Sequence, residues 1–285
     1  MPISSETTTT TFPTGTAEVV LVDAETARTW LQDNRNNRSV REPRVRQYRD
    51  DMTSGRWRYN GEAIKFAADG SLLDGQHRLH ALAGTTDVTL PLLVVRGLPS
   101  DTQITMDQGA KRSPGDQLSL TGMSAKNTTI VAAALRVYMT WAEGSLAGEN
   151  TIRHSDVSTT RVIEFAEAYP ELVTAAEQFT ALAVRVKARP AVVCAVAVRL
   201  AEIDKTAAME FLRLLDTGAG LPTGSPILAL RDRLDLIKSH RIRTSDREFI
   251  GLIVMAWNLW RKGRQVSKLQ RPKGGWTPTN FPEPR

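Results

Sequence analysis

The residues whose types and spacing suit chemistry lie in one short run, Leu72-Leu73-Asp74-Gly75-Gln76-His77-Arg78-Leu79-His80. An apolar, strand-like stretch enters, Gly75 permits a sharp turn, and the residues after it read as a helix over 76–83. The first amides of such a helix have no intrahelical acceptor and sit at the positive end of its dipole, so an anion settles there. Arg78 adds a fork of donors matched to phosphate oxygens, and His77 adds another. His80 follows one turn later on the same side. Asp74 admits two roles. Either it holds Mg²⁺ that also touches the phosphates, or it caps the helix and the anion moves onto His77 and Arg78. With Asp74 beside it, His77 is the candidate general acid or base. A zinc site at His77 and His80 lacks a third ligand.

The elements that must position this run follow from periodicity. Helices are predicted over 24–32, capped by Asp23, and over 44–53, ended by Gly55. Strands over 62–67 and 71–73 flank an Asp69-Gly70 turn and form a hairpin. An apolar run over 88–95 reads as a buried strand, and 103–106 as a further strand. Asp101, Asp107, Gln108, Lys111, Arg112 and Asp116 then form a polar loop. Arg112 joins the candidate phosphate ligands by closing over the pocket; the alternative is an ordinary loop with Asp116 capping the next helix.

From about residue 127 the pattern is helical. One face carries Ile130, Ala134, Val137 and Trp141, and the next carries Val162, Phe165 and Tyr169 and stops at Pro170. Residues 191–201, opened by Pro190 and containing Cys194, are apolar all round, as in a buried helix. Asp204 and Gly218 bracket another helix, Ser225-Pro226 opens the next, and Ser245 with Glu248 forms a capping box for the last. The fold class is α+β: a disordered arm over 1–16, an α/β domain over 17–122, an all-helical domain over 123–262 and an extended basic, Pro-containing tail over 263–285.

The chain of 285 residues is 41% hydrophobic and 24% charged, an ordinary globular composition. Its single cysteine excludes an internal disulfide, a Cys/His zinc quartet and a paired-thiol redox centre, and suits a reducing cytoplasm. No apolar run is long enough to span a membrane, so no membrane partner is expected. Residues 231–285 hold 13 Lys or Arg against 5 Asp or Glu, while the rest of the chain is near neutral. That asymmetry points to nucleic acid, contacted by Arg261, Lys262, Arg264, Lys268, Arg271 and Lys273, or else to a solvated basic tail. Trp276 either stacks on a base or packs back. The Walker phosphate loop, the Gly-x-Ser-x-Gly elbow and His-Glu-x-x-His are all missing, and Glu62-Ala63-Ile64-Lys65 lacks the spacing of a nuclease core.

The order of helix, Gly-containing turn, hairpin, Gly-x-His-Arg helix and Pro-containing strand resembles the ParB/sulfiredoxin superfamily over residues 19–98. ParB proteins carry Gly-Glu-Arg-Arg-x-Arg, which binds the phosphates of CTP. Gly75, Gln76, His77, Arg78 and His80 stand at the matching positions, so two arginines are replaced by histidines. Sulfiredoxin reads Gly-Cys-His-Arg, and Gln76 in place of its nucleophilic cysteine removes sulfinic-acid repair. The nearest spelling is that of free serine kinases, Asp-Gly-His-His-Arg, and of DGQHR-type proteins. Many phage and mobile-element proteins share the arrangement. The resemblance implies a nucleoside triphosphate or diphosphate with Mg²⁺, bound at this run. The expectation is a ParB-like, nucleotide-binding, DNA-associated regulator, with a second copy of itself as a candidate homodimer partner. The alternatives are a phosphoryl-transfer enzyme and a protein-binding adaptor with a vestigial pocket.

Overall fold

The computed structural model describes residues 15–35, 37–106, 112–144 and 156–285. They form two units, Met1–Ala110 and Lys111–Arg285, each with its own apolar core.

The first unit runs β1 (Thr16–Val22), α1 (Ala24–Leu31), α2 (Glu42–Thr53), β2 (Ile64–Ala67), β3 (Leu72–Asp74), α3 (Gln76–Ala83) and β4 (Leu90–Leu98). Asp23 caps α1 by accepting from the Thr26 amide at 2.8 Å, and Pro43 stands in the first turn of α2, where its missing N–H costs nothing. β2 and β3 pair antiparallel around the Asp69-Gly70 turn, which Asp69 braces by accepting from the Ser71 amide and hydroxyl. α3 then carries the chain over so that β4 lies parallel to β2, and β1 pairs antiparallel with β4, giving the order β1-β4-β2-β3.

Helices α1, α2 and α3 bury Ala27, Val45, Leu79 and Leu82 against Val22, Ile64, Phe66, Leu92 and Val94. They cover one face of the sheet, so β4 alternates: Leu92 and Val94 are buried while Pro91, Leu93 and Val95 are half-buried. The expected fully buried strand is therefore a one-sided one. Two further expectations are corrected. Residues 103–106 are not a strand, because Ser100–Thr105 close into a 3₁₀ turn in which the Thr102 hydroxyl donates to the Pro99 carbonyl. The strand β1, absent from the sequence reading, begins where the arm was expected to end; the remainder of that arm, residues 1–14, lies outside the described residues.

The second unit is helical: α4 (Pro114–Leu120), α5 (Thr128–Ala142), α6 (Thr159–Ala168), α7 (Pro170–Ala183), α8 (Pro190–Thr217), α9 (Pro226–Ser239) and α10 (Asp246–Arg261). Prolines open α4, α7, α8 and α9, the position where the ring is best tolerated. Residues 192–198 of α8 are buried all round, as their sequence implied. The helix breaks at Asp204 (φ −157°, ψ 98°), whose carboxylate caps the second half at the Ala207 amide (2.9 Å) and pairs with Arg261 (2.7 Å). α4 belongs to this unit: Leu118 lies in its core, and Gly115 sits so close to Thr128 and Thr129 that a Cβ would meet their backbone. The units therefore divide ahead of α4 and not at residue 122.

The tail, expected as an extended basic arm, folds back onto α10. Leu269, Trp276 and Phe281 are buried, the Arg247 guanidinium donates to the Trp276 carbonyl at 2.6 Å, and the Trp257 indole donates to the Arg285 carbonyl at 2.9 Å. Three large apolar side chains outweigh the charge around them once an apolar helix is available to bury them. Ser245 accepts from the Glu248 amide, but Glu248 points to Arg271 (3.8 Å) instead of completing the capping box. Gly251 makes the docking possible, because its missing Cβ would lie 2.5 Å from the Trp276 ring. Gly251→Ala is expected to cost roughly 1–3 kcal/mol of overpacking and to loosen the tail. Limited trypsinolysis read by mass spectrometry should show faster cleavage after Lys268 and Lys273 than in the wild type.

Candidate functional site

Gly75 starts α3 in the left-handed region, φ 102°, and a Cβ there would lie 2.4 Å from Ile64 Cδ1, so neither the turn nor the packing admits another residue easily. The Asp74 carboxylate does not cap α3. Its Oδ1 accepts from the Gly75 amide at 2.7 Å, and its Oδ2 faces Lys65 Nζ at 3.3 Å and the Arg78 guanidinium at 3.8 Å. With the cap position held by glycine, the Gln76 and His77 amides are left without intrahelical acceptors, while those of Arg78 and Leu79 turn back to the Gly75 carbonyl.

These two residues open onto a cleft of about 210 Å³ lined by Asn37, Arg38, Leu73, Asp74, Gly75, Gln76, His77, Gln103 and Met106. Side-chain amides frame it. Asn37 donates to the Leu72 carbonyl (2.6 Å) and to Asn34 Oδ1 (2.7 Å), and Gln103 donates to Asn37 Oδ1 (3.0 Å) and the Leu73 carbonyl (3.1 Å). The buried Gln76 donates to the Arg38 carbonyl at 2.9 Å and accepts from Asn34 at 3.3 Å. Its side chain is thereby spent on placing Arg38 at the rim.

His77 is 8% exposed, and its Nε2 accepts from the Arg41 amide at 3.0 Å. An accepting Nε2 puts the proton of a neutral ring on Nδ1, leaving that N–H as the ring's remaining donor in a side chain that lines the cleft. Burial pushes the imidazole below its usual range, and the charges of Arg38, Arg44, Arg41 and His80 push it the same way. The result is a neutral donor in a positive environment, suited to holding an anion.

The remaining candidates fall elsewhere. Arg78 does not line the cleft: it is 6% exposed and donates to the main-chain carbonyls of Glu62 and, at 2.7 Å, Ala63, so it ties α3 to the lead into β2. His80 is half-buried in the last turn of α3, also away from the cleft lining. Arg112 belongs to the second unit, where its charge helps to hold Asp116 below the usual carboxylate range after the Ser113 hydrogen bonds. Asp116 and Ser113 form the capping box of α4, the bland reading of that loop. Asp107, Gln108 and Lys111 lie outside the described residues.

A magnesium ion held by the protein does not fit these residues. Both oxygens of Asp74 are committed to an amide and two cations, and no group of three His, Cys, Asp or Glu side chains converges among the described residues. The same commitments remove Asp74, and the Nε2 of His77, from acid–base work.

Of the six basic residues expected to contact nucleic acid, Arg261 pairs with Asp204 and Arg271 faces Glu248, while Lys262, Arg264, Lys268 and Lys273 are exposed. Trp276 packs back against Phe281, ring centroids 5.9 Å apart. The sequence reading passed over Asn34, Asn37 and Gln103, which frame the cleft, and an arginine series at Arg35, Arg38, Arg41 and Arg44. The signal for that series was its spacing of three, hidden because the charge count was dominated by the other end of the chain. No helix among the described residues is long and apolar enough to cross a membrane. No protein-family model, curated protein or solved structure matches this chain.

Two outcomes follow. Arg78→Ala strips two carbonyls and a carboxylate of their buried partner and is expected to cost about 2–4 kcal/mol in denaturant unfolding; Arg78→Lys, which cannot fork, should recover little of it. His77 is held below 6.5, so between that value and its lower folded one the unfolded chain binds a proton that the native chain refuses. Its neutral form leaves stability intact above pH 6.5, and stability declines as pH falls towards and through the folded value. Thermal unfolding between neutral and acid pH should show that decline, and His77→Gln should flatten it.

Proposed function

We propose that this chain is a ParB-like, nucleotide-binding regulator that associates with nucleic acid. The observation that carries the reading is a cleft lined by Arg38 and by Gln76 and His77, whose amides have no intrahelical acceptor, with Arg41 and Arg44 adding positive charge around His77. Donors of that kind, at a helix start opened by glycine, suit phosphate oxygens. The order of β1, α1, α2, the β2–β3 hairpin, α3 and β4, with Gly75-Gln76-His77-Arg78 at the turn into α3, supports a ParB/sulfiredoxin-like arrangement for the first unit.

The cleft is smaller than the roughly 300–1,000 Å³ that enclose a drug-sized ligand, which suits the phosphate end of a nucleotide with its base outside. Binding is favoured over turnover because Asp74 is neutralised by Lys65 and Arg78 and the Nε2 of His77 is occupied. The exposed basic residues of the tail are a further surface for a polyanion.

Titration calorimetry with ATP, ADP, CTP and GTP, with and without Mg²⁺, tests the reading. At least one nucleotide should bind, with little dependence on the metal. Arg38→Ala, which keeps the carbonyl that Gln76 uses, should weaken binding by about tenfold, or 1.4 kcal/mol. If the wild type takes up none of the four, the reading falls.

A further inference from the structure

The arginine series continues outward from the cleft. Arg38 lines it, the main chain of Arg41 holds His77, and Arg44 stands in the first turn of α2. All three lie near enough to lower His77 electrostatically, and Glu42 is the one acid between Arg38 and Arg44. Arg44 differs from Arg261 and Arg271 at the basic end of the chain, which are turned towards acids. Arg44 is exposed, its hydrogen bonds go to the neutral Gln47 (3.2 Å) and Tyr48 (3.0 Å), and its guanidinium lies 4.6 Å from the Tyr48 ring centre. Tyr48 meets Trp57 edge-on at 6.0 Å, and two residues beyond Trp57 the ring of Tyr59 is 50% exposed. Positive charge, flat aromatic surface and a phosphate-sized recess thus belong to one stretch of the first unit.

We propose that this surface binds a single strand of nucleic acid, with one phosphate seated in the cleft and the neighbouring ones on Arg41 and Arg44. The proposal rests on the phosphate-binding reading of the cleft and extends it to a polymer. An acidic protein would use the charge but not the recess, which accepts a compact, multivalent anion at a helix start. The exposed Tyr59 ring, next to the half-buried Tyr48 and Trp57 rings that pack on the core, offers a flat face to unpaired bases, which a duplex hides.

The test uses the full chain and fluorescence anisotropy of a 3′-labelled, 5′-phosphorylated DNA strand about 12 nucleotides long, within the span that single-strand sites cover. Arg41→Ala/Arg44→Ala leaves the Arg41 amide in place and changes exposed side chains only, so its melting temperature should match the wild type. Its affinity should fall at least tenfold, and the slope of log affinity against log salt should become shallower by about 1.4, or 0.7 for each lost phosphate contact. Lys268→Ala/Lys273→Ala should change both less, and free nucleotide should displace the strand. Wild-type affinity in the double arginine variant would overturn the proposal, as would tenfold preference for a duplex of the same sequence. A chain that binds nucleotides in calorimetry but no strand would sink this inference alone; a chain that binds neither would sink the cleft reading beneath it.

Discussion

Burying the Arg78 guanidinium is the constraint on which the first unit turns. A cation taken out of water must find acceptors, and this one finds the carbonyls of Glu62 and Ala63, with Asp74 nearby. Those acceptors lie on the segment entering β2 and at the end of β3, so one side chain fixes α3 against both strands of the hairpin. Asp74 is held beside Lys65 and Arg78 in the same stroke and loses the freedom to serve a metal or a proton. The residue that looks most like a phosphate ligand is thus the one that builds the frame.

The site proper is assembled from neutral groups placed beside charged ones. Asn34, Asn37, Gln76 and Gln103 pass hydrogen bonds between the loop before α2, the end of β3 and the turn after β4. None of the four changes charge with pH, so the frame is insensitive to acidity while His77 is not. His77 stays neutral for two reasons that reinforce each other, burial and the surrounding arginines. Protonating it would set an N–H against the Arg41 amide, so the ring's tautomer and the position of Arg41 are one decision.

Local signals were legible where a single turn or cap decides them. Asp23, Asp69-Gly70, Gly75, Pro190 and Pro226 each fixed an element within a few residues. The α+β class and the buried half of α8 followed from periodicity. What the sequence hid was long-range. Arg78 reads as a surface fork until Glu62 and Ala63 are known to lie behind it, residues 15 and 16 positions away. β1 is exposed along most of its length, so its sequence carries no apolar–polar alternation, and its partner β4 lies far along the chain. The tail's composition said polar while three of its side chains found an apolar helix to cover.

The break in α8 has a chemical consequence. Asp204 divides a first half buried all round over residues 192–198 from a second half that buries Phe211 and Leu212 but shows Met209 to solvent and is tied to α10 through Arg261. The two halves need not open together. Cys194 lies in the first, wholly buried, its thiol pushed up to about 12 by desolvation. The buried run around it keeps that sulfur sealed and protonated while the core is packed. Oxidants and alkylating agents therefore meet a thiol that is inert in the packed protein and becomes reactive only when the core around it comes apart.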